Sequence, residues 1–183
     1  KESDGEVQDY LYVQDARGIL ACVQMGTVEF HGWGSKANRL EYPDRLVFDL
    51  DPDVGLGFNK VKVAAVRLQA LLADLGLVTF PMLTGGKGIH VIAPLEAKAD
   101  WGKVKSFAER FSRAIAEAEP HMFTANIRKN QRKGRIFLDW LRNQRGATAV
   151  MPYSARAREG APVAAPVAWE ELDHFKSGEE FSI

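Results

Sequence analysis

Apolar and polar positions alternate along several short stretches of this chain, most clearly from Asp44 to Pro52. Read as a strand, period two sends Leu46, Phe48 and Leu50 to one face and Val47, Asp49 and Asp51 to the other. The first face seeks a core, while two carboxylates share the opposite surface. Pro52 ends the element because it has no N–H to give a sheet. Further strands are predicted over residues 10–13, 28–33, 77–83, 89–95, 135–141 and 147–153. In the second of these Glu29, His31 and Trp33 share a side. In the fourth, Ile89, Val91, Ala93 and Leu95 fall on one face and His90 on the other. Spacing of three and four marks helices instead. Residues 16–25 read as one, with Gly26 as its stop, and Val61, Ala64, Ala65, Leu68, Leu71, Leu72 and Leu75 form a stripe that ends at Gly76. Trp101, Val104, Phe107, Ala108, Phe111 and Ile115 form another, with Asp100 as N-cap and Pro120 beyond its end. Residues 1–8 read as a polar end or linker, 155–166 as a loop rich in Arg, Pro and Ala, and 169–175 as a short terminal helix.

Composition narrows this picture. The chain has 183 residues, 46% hydrophobic and 26% charged, which suits a single α/β domain with a real core. Lys+Arg and Asp+Glu balance at 24 each, so any attraction for nucleic acid must come from how charge is distributed. The lone cysteine, Cys22, sits among apolar neighbours and reads as a buried structural thiol; one cysteine allows no internal disulfide, which fits a cytosolic address. No apolar run approaches membrane-spanning length. A start at Lys1 reads as a cut, processed or excised piece.

The candidate chemistry lies in three places. Asp49 and Asp51 stand two apart on one strand, and Asp139 sits mid-strand among apolar neighbours, where aspartate is disfavoured without a reason. Three converging carboxylates can bind two divalent ions about 3.5 to 4 Å apart, the arrangement used for phosphoryl transfer; unrelated surface or salt-bridged acids are the plain alternative. The link Thr84-Gly85-Gly86-Lys87-Gly88 runs strand to strand and so does not match a P-loop, which opens a helix. Its glycines can still form an anion nest with Lys87 as a point charge for a triphosphate, against the alternative of a tight hairpin with an exposed lysine. His90 and His31, taken alone, read as structural histidines. The run Arg128, Lys129, Asn130, Gln131, Arg132, Lys133, Gly134, Arg135 either neutralises a nucleic-acid backbone or is a solvated face. Arg142, Arg145, Arg156 and Arg158 extend positive charge around Asp139.

Read together, the stretches around Asp49-Leu50-Asp51, Thr84-Gly85-Gly86-Lys87-Gly88-Ile89-His90 and Gly134-Arg135-Ile136-Phe137-Leu138-Asp139-Trp140 resemble the polymerase (primase-polymerase) domain of bacterial DNA ligase D, in the archaeo-eukaryotic primase superfamily. Tyr10-Leu11-Tyr12-Val13, Glu29-Phe30-His31-Gly32-Trp33 and Arg145-Gly146-Ala147-Thr148 match it too, so the resemblance runs almost end to end.

The resemblance implies an α/β fold of the α+β type, primase-like, with mixed and antiparallel sheets flanked by helices around a central active cleft. It implies template-dependent nucleotidyl transfer in non-homologous end joining, with two Mn2+ (or Mg2+) ions and ready use of ribonucleotides. Asp49, Asp51 and Asp139 would hold the metals. Lys87, His90, His31, Arg156 and Thr84 would contact the incoming nucleotide, with Arg132 beside the nucleotide or template; the basic run itself offers Arg128, Lys129, Arg132 and Lys133 to the nucleic acid. Partners would be a template-primer or DNA end and nucleoside triphosphates, with the end-binding protein Ku and an attached ligase domain as candidates, no membrane, and a bacterial cytoplasmic, nucleoid-associated setting. Thr84 stands where the family usually has serine. The resemblance also implies that residues 1–183 form one primase-polymerase domain without the family's N-terminal portion, which holds template and 5′-phosphate. Two readings compete: a non-catalytic nucleotide- or nucleic-acid-binding module, and a metal-dependent phosphohydrolase or nuclease using the same carboxylates.

Overall fold

The computed structural model describes residues 9–183; the polar end read over residues 1–8 lies outside the described residues. In chain order the elements are α1 (Ala16–Gln24), β1 (His31–Trp33), β2 (Arg45–Pro52), α2 (Phe58–Ala73), β3 (Phe80–Leu83), β4 (Ile89–Pro94), α3 (Trp101–Ala118), β5 (Phe123–Thr124), β6 (Ile136–Asp139), β7 (Thr148–Val150) and β8 (Ala165–Pro166). Short 3-10 turns at Ala37–Arg39, Lys129–Gln131, Leu141–Asn143 and Trp169–His174 link them. Six strands form one sheet in the order β5-β6-β2-β4-β3-β8, antiparallel throughout except where β5 pairs with β6. β1 and β7 form a separate antiparallel pair.

β2 is the axis of the large sheet, and its alternation builds two layers. Leu46, Phe48 and Leu50 are fully buried in one core with Val61, Ala64, Ala65, Leu68 and Leu72 of α2 and Val104, Ala108 and Ile115 of α3. Each such Val, Leu, Ile or Phe side chain stabilises the fold by about 1.5–3 kcal/mol relative to exposure. The opposite side of β2 carries Asp49 and Asp51 toward the β1–β7 pair. Asp100 caps α3 by accepting from the Lys103 N–H at 2.9 Å, and Asp15 caps α1 through the Gly18 N–H at 3.1 Å. Cys22 is buried, in agreement with a structural thiol. Among the described residues no helix is long and apolar enough to cross a membrane.

Several predicted boundaries shift, each for a local reason. Residues 10–13 are not a strand: Tyr10, Leu11 and Tyr12 are exposed, and no described strand pairs with them. β1 and β7 have three residues each because their mutual ladder, His31–Val150 to Trp33–Thr148, is only that long. α2 stops at Ala73, leaving Leu75 exposed. β6 ends at Asp139, where Trp140 turns into a 3-10 segment while staying buried. The loop over 155–166 ends in an edge strand, β8, beside β3.

One buried side chain fixes the turn after β6. The Asn143 amide accepts from the Val47 N–H at 2.8 Å and donates to the Val47 carbonyl at 2.7 Å and the Trp140 carbonyl at 3.0 Å. It stands in for a strand partner along the part of β2 that β6 does not reach, and so satisfies backbone groups that would be costly to bury unpaired. The turn it pins carries Arg142.

Candidate active site

Three adjacent strands place the acids. Asp49 on β2 lies directly opposite His90 on β4 and opposite Asp139 on β6, while Asp51 lies one pleat further along the same face. These residues line a cleft of about 450 Å³ whose other walls are His31 of β1, Ala149 and Val150 at β7, the loop from Thr84 to Gly88, and Arg142, Arg156 and Arg158. The cleft therefore lies between the two sheets, as the family resemblance implied. Close packing holds the loop against β2: a β-carbon on Gly88 would stand 2.5 Å from the Leu50 carbonyl oxygen, which only glycine tolerates.

Arginines hold the carboxylates. Arg142 donates through Nη2 to Asp49 Oδ2 at 3.2 Å and lies 3.4 Å from Asp139 Oδ2, bridging the two strands. His90 Nε2 is 3.5 Å from the same Asp49 oxygen, and its buried Nδ1 has no hydrogen-bond partner among the described residues. Arg132 donates to Asp51 at 2.8 Å and to the Ile127 carbonyl at 2.7 Å, and its guanidinium covers the Phe137 ring at 3.8 Å. Burial drives the Asp49 carboxyl upward, but the charges and hydrogen bonds of His90 and Arg142 outweigh it and hold the group below the ordinary carboxylate range. Asp51 and Asp139 lie above that range: burial is the main cause, and the charge of Asp49 adds to both against the pull of Arg132 and Arg142.

Among the described residues no three His, Cys, Asp or Glu side chains form a ready-made metal cluster. The three acids line one cleft, where Arg142 bridges Asp49 and Asp139 and Arg132 pairs with Asp51. The donor set still fits a hard divalent cation, because it is all carboxylate oxygen from three side chains lining one cleft. Arg142 supplies positive charge to Asp49 and Asp139, and Arg132 supplies it to Asp51.

The remaining predicted site residues divide. Lys87 is exposed on the cleft wall. The Thr84 hydroxyl donates to the Gly88 carbonyl at 2.9 Å and so closes its own loop, leaving only its lone pairs for a ligand. Arg156 donates to the Glu29 carboxylate at 3.0 Å and to the Thr84 carbonyl. Arg128, Lys129 and Lys133 are exposed on the flank and do not line the cleft, whereas Arg132 pairs with Asp51.

Sequence reading missed the bridging role of Arg142 and the part played by Glu29. Glu29 had a signal, since alternation put it beside His31. Its carboxylate bonds to His31 at 3.0 Å, to Arg156 and to the Ala157 N–H at 2.9 Å, joining β1 to the arginine loop. The His31 hydrogen bond, then the Ala157 N–H and Arg156, lower the carboxyl from 4.5 to about 2. A lowered pKa stabilises the fold above the unfolded value and loses that contribution as pH falls from about 4.5 through about 2. The group is partly exposed, so solvent screens the gain and the titration itself is the better readout. An NMR titration following the Glu29 side-chain carboxyl is expected to give a midpoint near 2; a midpoint in the ordinary carboxylate range would show that this clamp does not persist in solution.

An antiparallel-dominated sheet with helices on one face, a small second sheet on the other and a carboxylate cleft between them defines a primase-like α/β protein. A family model described as "LigD, primase-polymerase domain" matches residues 1–183. The chain belongs to that family. It is 43% identical over 173 residues to the multifunctional non-homologous end joining protein LigD of Pseudomonas aeruginosa, and 36% identical over 172 residues to the corresponding DNA repair protein of Mycobacterium tuberculosis. These matches cover 94% and 90% of the chain but only 21% and 23% of the relatives, so the chain spans about a fifth of their length. The polymerase domain from Mycobacterium tuberculosis ligase D, solved in complex with DNA, superposes with a TM-score of 0.80 at 34% identity, over 88% of this chain and 59% of that one.

Proposed function

We propose that this chain catalyses template-dependent nucleotidyl transfer from a nucleoside triphosphate to a primer 3′-hydroxyl, in the repair of DNA breaks by non-homologous end joining. The observation that carries this reading is the sharing of one cleft by three carboxylates from adjacent strands and by Lys87, His31, Arg156 and Arg158. Carboxylates alone would equally serve a nuclease. A positive wall opposite them suits a triphosphate, whose leaving pyrophosphate needs its charge neutralised.

In this reading Asp49, Asp51 and Asp139 hold two divalent cations, manganese or magnesium. When bound, such ions supply Lewis acidity at the attacking and leaving oxygens. Lys87 and the loop amides bind the phosphates, Arg156 and Arg158 complete that wall, and His31 and His90 border it. Arg156 is already held by Glu29 and the Thr84 carbonyl, so its guanidinium is pre-oriented for an oxyanion. The exposed cations Arg128, Lys129 and Lys133 are placed to contact template-primer backbone, and Arg132 to orient Asp51. Residues 1–183 act as one polymerase domain of a longer bacterial protein working in the cytoplasm at the nucleoid, with a ligase domain and Ku as candidate partners.

Primer extension by the intact protein on a gapped duplex, with manganese and each ribonucleotide or deoxyribonucleotide in turn, tests the reading. Addition of the base complementary to the template is the expected result. Shortened strands or released monophosphates, with no demand for a triphosphate, would replace it with the hydrolase reading.

A further inference from the structure

The C-terminal segment forms a strap over the glycine loop. Its ends meet where the Phe175 and Phe181 rings pack with centroids 5.5 Å apart, and Phe175 also packs against the main core. Between them the Lys176 N–H donates to Glu180 at 3.2 Å and the Glu179 N–H donates to the Ser177 hydroxyl at 3.2 Å, so the turn is internally bonded. The Val163 N–H donates to the Phe181 carbonyl at 2.8 Å, and Ser182 forms a bridge with Pro162. Residue 162 in turn accepts from the Arg156 N–H at 2.8 Å. The strap is thus fastened to the segment that carries two of the cleft arginines, Arg156 and Arg158.

Gly178, at the apex, is buried against the loop. A β-carbon there would collide with the Gly86 carbonyl oxygen and stand 3.2 Å from the Gly88 carbonyl oxygen. Its backbone is not left-handed, so glycine is required for space and not for conformation. The Gly86 carbonyl faces the strap, and the planar trans peptide therefore turns the Lys87 N–H away from it. Glu179, the next residue, lies 3.8 Å from the Arg158 guanidinium, which itself stands over Gly86.

We infer that the strap over residues 175–181 positions the triphosphate site: Gly178 sets where the Gly86–Gly88 backbone stands, and Glu179 holds Arg158 as a counterion that a triphosphate must displace. This rests on the triphosphate reading above. Both are positioning residues, acting through the loop and through Arg158. The two therefore have opposite signs. Added bulk at 178 displaces the loop and weakens nucleotide binding, while loss of charge at 179 frees Arg158 and removes a repelling carboxylate, which tightens it.

Titration calorimetry of the full chain with UTP and Mn2+ tests this, alongside melting curves. Gly178→Ala is expected to bind UTP at least about tenfold more weakly, because small displacements of a phosphate cradle are costly. Glu179→Gln is expected to bind about threefold more tightly, the scale of an exposed ion pair. Gly57→Ala, where a β-carbon would meet nothing within 4 Å, is the control and stays within about twofold. A purely structural role lowers the melting temperature without this reversal of sign. If the parent fails to bind UTP, the triphosphate reading falls and this inference with it. If the parent binds and Gly178→Ala matches it, or Glu179→Gln binds no tighter than the parent, only the strap's role is overturned. Should Gly178→Ala melt too low to titrate, the Glu179→Gln result decides.

Discussion

Asp49→Asn and Asp139→Asn are each expected to cut primer extension by about a thousandfold or more, because in the proposed function each carboxylate would hold a metal ion that supplies several kcal/mol at the transition state. Asparagine keeps the shape of aspartate, and at Asp139 it can keep the hydrogen bond that Oδ1 accepts from the Leu141 N–H at 2.9 Å. Folding should survive both changes differently. Asp139 has a raised pKa, chiefly through burial, so its charged form is disfavoured in the fold and its neutralisation at pH 7 costs no stability. Asp49 has a lowered one, and its neutralisation leaves His90 and Arg142 without their shared anion. The expected pattern is two inactive proteins, of which only Asp49→Asn melts lower than the parent. Extension at near-parental rate by Asp139→Asn, measured with manganese on a gapped template, would remove the metal role from that residue.

These acids were legible because each interrupts a period-two pattern that is otherwise apolar. Leu46, Phe48 and Leu50 leave one face to Asp49 and Asp51, and Ile136 and Leu138 do the same for Asp139. Helices α2 and α3 were legible for the same kind of reason, since Val61–Leu72 and Trp101–Ile115 repeat at helical spacing and Asp100 announces the second. What alternation cannot state is which strand pairs with which. Asp49 opposite Asp139 joins residues ninety apart in the chain, and no local signal sets that register. β5 and β8, two residues each, are too short to have a period at all, and exist because β6 and β3 offer them an edge. Arg142 illustrates the same limit at the level of one side chain. Its spacing from Asp139 was visible, but its grip on Asp49 depends on the turn that Asn143 ties to Val47. Gly178 gives no sequence signal for a backbone contact with Gly86, because the reason for that glycine lies almost a hundred residues upstream.

Arg142→Ala is expected to make the protein less stable without metal and more responsive to it. The guanidinium bridges two carboxylates that face each other across β2 and β6, and its removal leaves both charges with less compensation. Removing one partner of a fully buried pair costs about 3–5 kcal/mol. Arg142 is 38% exposed, so solvent recovers much of that, and about 1–2 kcal/mol is the expected loss. For a chain of this length that lowers the melting temperature by about 3–6 °C in EDTA. Because the Asp49 carboxyl is held low, the stabilisation it draws from Arg142 is present at neutral pH, above the unfolded value of about 3.9, and fades as pH falls through the lowered folded value. The melting gap between parent and variant should therefore close in acid. Manganese should close it at neutral pH as well, since a cation binding the same oxygens replaces the lost charge and in the parent must first displace Arg142. The metal-induced rise in melting temperature is then larger for Arg142→Ala than for the parent, by mass action on a site without a resident competitor. Equal rises in the two proteins would mean that Arg142 and the metal do not compete for these carboxylates, and that the cation site lies elsewhere in the cleft.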